Sequence, residues 1–184
     1  ALGELELNGH SYRAKQRCHI SYMVMQDVNH QLFTEDVLDE LLLSMDGEDE
    51  KENTERANQI LSSLDLADKI KLHPMSLSGG EKQRVAIGSA IASNKEILVF
   101  DEPTSGLDYF HMVGVSDNLN RLKDMGKSLF LITHDPELIY KCCTYLLFIQ
   151  ENKVLWHRPM DDEAIKLLRA FFSHEQGANV TNAT

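Results

Sequence analysis

The stretch EILVFDEP, residues 96–103, places four apolar residues directly before two consecutive carboxylates, Asp101 and Glu102, and a proline. The pattern predicts a buried strand over residues 96–101 with both acids at its carboxyl end. In parallel α/β sheets, ligands bind at that edge. One acid there can hold Mg²⁺ while the next orients or deprotonates a water. A strand that ends in a solvated turn explains the same residues, so this stretch alone leaves both interpretations open.

A serine and two glycines, Ser78-Gly79-Gly80, precede Glu81 and a predicted helix over residues 80–92. Such an opening leaves backbone N–H groups unpaired at the positive end of the helix dipole, which favours anion binding. An ordinary helix cap in a tight turn is the alternative.

A third pattern, LFLITHD at residues 129–135, predicts a strand over residues 128–133 that delivers His134 at its end. A lone histidine at such a place is more often a capped loop residue than a catalytic one. Gln26 closes an earlier predicted strand, residues 19–25.

The remaining pattern alternates strands and amphipathic helices, which is typical of an α/β domain with parallel strands. The chain is predicted as a single domain over residues 1–172, with a helical subdomain at about 33–92 inserted in the α/β core and no regular structure over 173–184. The acid-rich run at 35–55 is interpreted as a solvated face. A fourth strand is expected at 144–150, and further helices at 35–45, 53–66, 110–125, 136–141 and 161–172.

Composition narrows the classes of function. The 184 residues carry 18 Lys and Arg against 29 Asp and Glu, a net charge of −11. That acidity argues against a nucleic-acid partner, which needs cations for the phosphate backbone. No apolar run reaches the roughly 18 residues of a membrane-spanning helix, and three cysteines, two of them adjacent, fit reduced thiols.

Taken together, these patterns resemble the nucleotide-binding subunits of ABC transporters over about residues 3–156. The resemblance assigns five motifs: the signature motif Ser78-Gly79-Gly80-Glu81, the Walker B strand 97–102 with Glu102 as catalytic glutamate, the D-loop Ser105-Gly106-Leu107-Asp108, the switch histidine His134 and the Q-loop glutamine Gln26. Residues 25–33 are similar to the Q-loops of energy-coupling factor ATPases, which drive uptake of vitamins and transition-metal ions.

The resemblance implies a P-loop NTPase-type parallel sheet and hydrolysis of ATP with Mg²⁺ between two subunits packed head to tail. It implies that Ser78, Gly79, Gly80 and Glu81 bind the nucleotide of the other subunit, and that Asp108 acts across the dimer. Asp101 and Gln26 would hold Mg²⁺, while Glu102 and His134 would serve catalysis. The implied partners are a second ATPase subunit and transmembrane transporter subunits, at the cytoplasmic face of the membrane.

One family motif, the phosphate-cradling loop G-x-x-x-x-G-K-[ST], is absent. The one Gly-Lys-Ser, residues 126–128, has Arg121 where the loop needs glycine and leads into a predicted strand. The chain therefore resembles a family member without its N-terminal part, and we expect it to be inactive alone. In the family's sheet the P-loop strand lies beside the strand that ends at His134, so we expect either re-pairing of that edge or a non-native oligomer.

Two other functions stay open at this level. The chain could belong to an ABC-type ATPase that acts on DNA or ribosomes, although the long coiled-coil insertions of such relatives are not visible. It could also be a P-loop-less regulatory subunit that offers its signature motif to a complete partner.

Overall fold

The computed structural model describes residues 5–47 and 49–181, with side chains up to residue 173. The chain divides into two compact units, Ala1–Thr133 and His134–Thr184. The single domain expected over residues 1–172 stays a prediction.

A parallel sheet of three strands forms the centre of the first unit. Strands β3 (Ser21–Val24), β4 (Ile97–Asp101) and β5 (Ser128–Ile132) lie in the order β3-β4-β5. Val24 faces Phe100, which in turn faces Leu131, so the carboxyl ends of the strands lie at one edge. Three predicted strands are confirmed, and the α/β fold class with them.

Helices cover this sheet and build the subdomain inserted between β3 and β4. Their bounds are α1 Ala14–Ile20, α2 Val37–Leu42, α3 Glu50–Ser63, α4 Gly79–Ala92 and α5 Tyr109–Asp124. Asp36 and Asp49, both within the acid-rich run, accept backbone N–H groups at the starts of α2 and α3. Two acids of the acid-rich run therefore cap helix N-termini, in addition to the role of the run as a solvated face.

Helix α4 is the most deeply buried element of the first unit. Val85, Ile87 and Ala90 are almost fully buried on it, as is Phe100 on β4. The small residues Ala86 and Gly88 let its neighbours approach closely, and the side chain of Leu41 from α2 lies against Gly88. The start of α4 is therefore held in a fixed position.

The hydrophobic pattern missed three elements at the N-terminal side. Strands β1 (Leu5–Leu7) and β2 (His10–Tyr12) form an antiparallel hairpin around Asn8-Gly9, both at positive φ. Asn-Gly is a strong signal for a two-residue hairpin turn. Helix α1 extends to Ile20 and overlaps the first two residues of the strand predicted over 19–25. Strand β3 therefore begins at Ser21.

The second unit contains α6 (Pro136–Cys142), β6 (Tyr145–Gln150), β7 (Lys153–Pro159) and α7 (Asp162–Thr181). The fourth predicted strand forms as β6, and it pairs antiparallel with β7. The two residues between them, Glu151 and Asn152, both have positive φ, as a tight hairpin turn requires. The sequence pattern did not identify β7.

Helix α7 extends beyond the end that the sequence predicts. Its backbone is helical to Thr181, whereas the apolar periodicity stops at Phe172. Glu, Gln and Ala in this segment have good helix propensity, so a helix can continue without an apolar face. Residues 182–184 lie outside the described residues.

The outer edge of β5 is unpaired within the described residues. Within the described residues β5 pairs with β4 and with no other strand. Phe130 and Ile132 on β5 are exposed. Re-pairing with another described strand is therefore not observed, and the oligomer stays a prediction. None of the described helices is long and apolar enough to cross a membrane.

Candidate functional site

The carboxyl end of β4 places Asp101 as the last strand residue and Glu102 immediately after it. Glu102 has φ of +48°, which is uncommon for a residue with a side chain. Its backbone N–H donates to the Ile132 carbonyl at 2.8 Å, and the Thr133 hydroxyl donates to its Oε2 at 3.3 Å. Contacts with the end of β5 therefore hold both the backbone and the carboxylate of Glu102.

Helix α4 begins with a reciprocal cap at the predicted signature motif. The Glu81 N–H donates to Ser78 Oγ at 3.3 Å, and the Ser78 N–H donates to Glu81 Oε2 at 2.8 Å. The other carboxylate oxygen of Glu81 lies 3.5 Å from Lys69 Nζ. This capping box leaves the N–H groups of Gly79 and Gly80 in the first turn, where the helix dipole is positive.

The predicted D-loop packs against this helix start. A Cβ on Gly80 would lie 3.2 Å from the Leu107 side chain and 3.5 Å from the Gly106 carbonyl, so a larger residue there requires the Leu107 side chain to shift by a few tenths of an ångström. Gly106 itself has φ of +76°. Asp108 caps α5 by accepting the His111 backbone N–H, and this bond together with the His111 ring lowers the pKa of the Asp108 carboxyl.

The predicted Q-loop follows β3 and forms hydrogen bonds with both β3 and α4. Gln31 donates from Nε2 to the Met23 carbonyl and accepts the Met25 N–H at Oε1, each at 2.7 Å. Lys82 on α4 donates to Asn29 Oδ1 at 3.0 Å. Gln26 lies within this braced loop, two residues after the end of β3.

A cavity of about 560 Å³ lies between these three loops. Six of the predicted site residues line it: Gln26, Ser78, Gly79, Gly80, Glu81 and Asp108. Asp101 and Glu102 are not part of the lining and stand at the end of β4. His134 is the first residue of the second unit.

Sequence reasoning missed two lining side chains, Gln83 and Arg84, which directly follow the signature motif. Both are buried, with 3% and 7% of their surface exposed. The available signal was a pair of polar residues inside an otherwise apolar helix face. The pair lies four and five residues after Gly79, which starts the helix.

A buried carboxylate that sequence reasoning also missed braces the chain after the Q-loop. Glu40 on α2 is 4% exposed, and its Oε2 accepts the N–H groups of Phe33 and Thr34, both at 3.0 Å, and the Thr34 hydroxyl at 2.8 Å. The burial of Glu40 could not be predicted from its position in the acid-rich run, because it depends on the packing of α2 against α4.

The cap at Ser78 predicts an acid-dependent stability. The Ser78 backbone N–H, then its side chain and Lys69, lower the pKa of the Glu81 carboxyl. A lowered folded-state pKa gives stabilisation that is complete above the unfolded value of about 4.3 and is lost as the pH falls through the folded value. We expect Glu81→Gln to lower the unfolding free energy by about 1 kcal/mol at pH 7 and by less at pH 3. Urea titrations of both chains at the two pH values measure this, and an equal loss at both would contradict it.

No group of three His, Cys, Asp or Glu side chains within residues 5–47 and 49–173 is arranged to hold a metal ion. Asp101 and Gln26 offer a carboxylate and an amide oxygen, the hard ligands that Mg²⁺ accepts in small number beside water and phosphate oxygens. The donor chemistry fits Mg²⁺ bound together with a phosphate ligand.

Comparison with known proteins gives a consistent result. A family model described as ABC transporter matches residues 1–105. A putative ABC transporter ATP-binding protein of Treponema denticola is 40% identical over 84% of this chain and 31% of its own length. The methionine import ATP-binding protein MetN of Bacillus subtilis is 35% identical, over 82% of this chain and 44% of its own. The energy-coupling factor transporter ATP-binding protein EcfA2 of Mycoplasmopsis synoviae is 32% identical, over 72% and 44%.

Among solved structures, a dimeric ATP-binding cassette in a post-hydrolysis state bound to ADP and Pi matches with a TM-score of 0.75. It is 23% identical and the match covers 86% of this chain and 74% of that one, which establishes the fold. The chain spans about a third of the length of the first relatives that it matches.

Proposed function

Because the chain belongs to the ABC transporter family, we propose that it is part of an ATP-binding subunit that hydrolyses ATP at a head-to-tail dimer interface to drive transport. The observation that carries this proposal is the cavity of about 560 Å³, which brings the start of α4 together with Gln26 and Asp108. Three loops distant in sequence converge on one helix N-terminus there, and such a terminus favours phosphate.

In this proposal Ser78, Gly79 and Gly80 bind the γ-phosphate of ATP held by the other subunit. Their role follows from the first-turn N–H groups that the Ser78–Glu81 cap leaves available. Asp108, which lines the same cavity, contributes to the same interface.

Glu102 orients and polarises the attacking water. The Thr133 hydroxyl and the Ile132 carbonyl fix its position, as preorganised catalysis requires. Mg²⁺, when bound with ATP, would neutralise developing phosphate charge; Asp101 and Gln26 would hold it. His134 would contact the γ-phosphate.

One relative named for import, MetN, supports uptake as the direction of transport. Following the Q-loop similarity at residues 25–33, we propose a vitamin or a metal ion as the transported substrate. Partner transmembrane subunits would choose it, and the chain would attach to them at the cytoplasmic face.

The sequence holds no G-x-x-x-x-G-K-[ST] pattern, and Gly126-Lys127-Ser128 joins α5 to β5 instead of opening a helix. We therefore expect the chain alone to hydrolyse no MgATP. The test mixes it with a family subunit that keeps its P-loop but carries a broken signature motif. Hydrolysis that appears only in the mixture would support a working half-site in this chain.

Gly79→Val provides the matched control for this mixture. A Cβ on Gly79 meets no atom within 4 Å, so the variant chain is expected to fold normally while its side chain occupies the space in front of the helix start. Loss of the rescued hydrolysis with an unchanged melting temperature is the expected result. Full rescue by Gly79→Val, or hydrolysis by the wild-type chain alone, would contradict the proposal.

A further inference from the structure

Two buried polar side chains beneath the start of α4 lack partners. Gln83 Nε2 and Arg84 Nε are inaccessible to solvent, and neither has a hydrogen-bond partner within the described residues. No carboxylate of the described chain forms an ion pair with the Arg84 guanidinium. A buried cation without a counter-ion, and a buried amide without an acceptor, both lower the stability of the free chain.

The acids that line the same cavity do not compensate this charge, because each is already engaged elsewhere. Asp27 accepts from Asn29, Glu81 from the Ser78 N–H, and Asp108 from the His111 N–H. These hydrogen bonds lower the pKa of all three carboxyls, so the acids stay ionised around the cavity. Arg84 is the one Lys or Arg among the described residues that line the cavity.

We propose that Arg84 and Gln83 are phosphate-binding residues that extend the donor set of Gly79 and Gly80. Arg84 lies five residues after Gly79, which corresponds to about 7.5 Å along the helix axis. Donors spread over that length fit a chain of phosphates better than a single small anion. The ligand class is the polyphosphate of a nucleotide, so the inference rests on the proposed function and adds two residues to its site.

Substitution of Arg84 or Gln83 by an apolar residue is expected to change the stability of the free chain and its affinity for phosphate in opposite directions. Removing an unpaired buried polar group stabilises the free chain, whereas removing a phosphate ligand weakens binding. A merely structural role of either residue gives a loss of stability without a change in binding.

The experiment uses the chain alone with inorganic tripolyphosphate as the probe. Arg84→Met and Gln83→Met are expected to raise the melting temperature of the free chain by roughly 2–6 °C. Calorimetric titration is expected to show tripolyphosphate binding weakened by at least tenfold for Arg84→Met and by a smaller factor for Gln83→Met.

Lys82→Met is the matched control. It removes the same charge from the same turn of α4, but Lys82 is bonded to Asn29 and does not line the cavity. It is expected not to raise the melting temperature, because it removes a hydrogen bond, and to leave the affinity almost unchanged. Equal weakening by Lys82→Met would show that binding follows net charge alone and would overturn the assignment.

A lower melting temperature of Arg84→Met together with unchanged binding would also overturn it, and so would the absence of tripolyphosphate binding by the wild-type chain. Should Arg84→Met not fold, Gln83→Met gives the same two readouts without a change of charge. The tripolyphosphate experiment uses this chain without a second subunit, so it is independent of the hydrolysis test in the mixture. If the mixture shows no hydrolysis but the chain binds tripolyphosphate, the proposed function is rejected and this inference stands.

Discussion

In a chimera that joins this chain to the P-loop segment of a relative, Glu102→Gln is expected to lower MgATP hydrolysis about 100-fold or more, because an amide cannot accept the proton of the attacking water. Gln has the size of Glu and keeps the amide oxygen that can accept from Thr133, so the strand end should hold its geometry. The loss should therefore appear in the turnover rate, with little change in the apparent affinity for ATP.

Glu96→Gln is the control for this change. Glu96 lies immediately before the same strand, and its exposed side chain is 3.9 Å from Lys127 Nζ. Turnover within twofold of the wild type is expected. Equal turnover by Glu102→Gln and the wild-type chain would place the catalytic base elsewhere.

Glu40→Ala is expected to lower the unfolding free energy by about 3–5 kcal/mol. The substitution leaves three donors without their acceptor in a buried place: the N–H groups of Phe33 and Thr34 and the Thr34 hydroxyl. These donors belong to the segment that joins the Q-loop to α2, so unfolding should begin there and amide exchange should rise first at those two residues.

Two variants separate this effect from the general loss of an acid. Asp39→Ala removes the exposed neighbouring carboxylate and should cost less than about 0.5 kcal/mol. Glu40→Gln keeps one acceptor oxygen and should fall between the two. A cost of Glu40→Ala no larger than that of Asp39→Ala, measured by urea titration, would contradict the role of the buried carboxylate.

The elements around the site could be predicted because the sequence signals for each of them lie within a few neighbouring residues. The apolar run before Asp101 and the Ser-Gly-Gly before α4 each carry their own strand or cap signal, and both elements formed where expected. Glu40 was not identified, since nothing in its neighbouring residues distinguishes a buried charge from an exposed one. Arg84 was not identified either, although its place in an otherwise apolar helix segment was a signal. The pairing of β6 was not predicted, because it depends on the turn at Glu151-Asn152 and on the partner strand β7.

The sequence by itself determined the family, the three parallel strands with acids and polar residues at their carboxyl ends, and the helix that begins at the signature glycines. These follow from hydrophobic period, capping chemistry and motif spacing, which act over a few residues. Only the tertiary structure decided that Gln26, Gly80 and Asp108 share one cavity, and that Glu40 and Arg84 are buried. The physical reason is that burial and convergence depend on which helix faces pack together, and that packing is fixed by contacts between segments far apart in the chain.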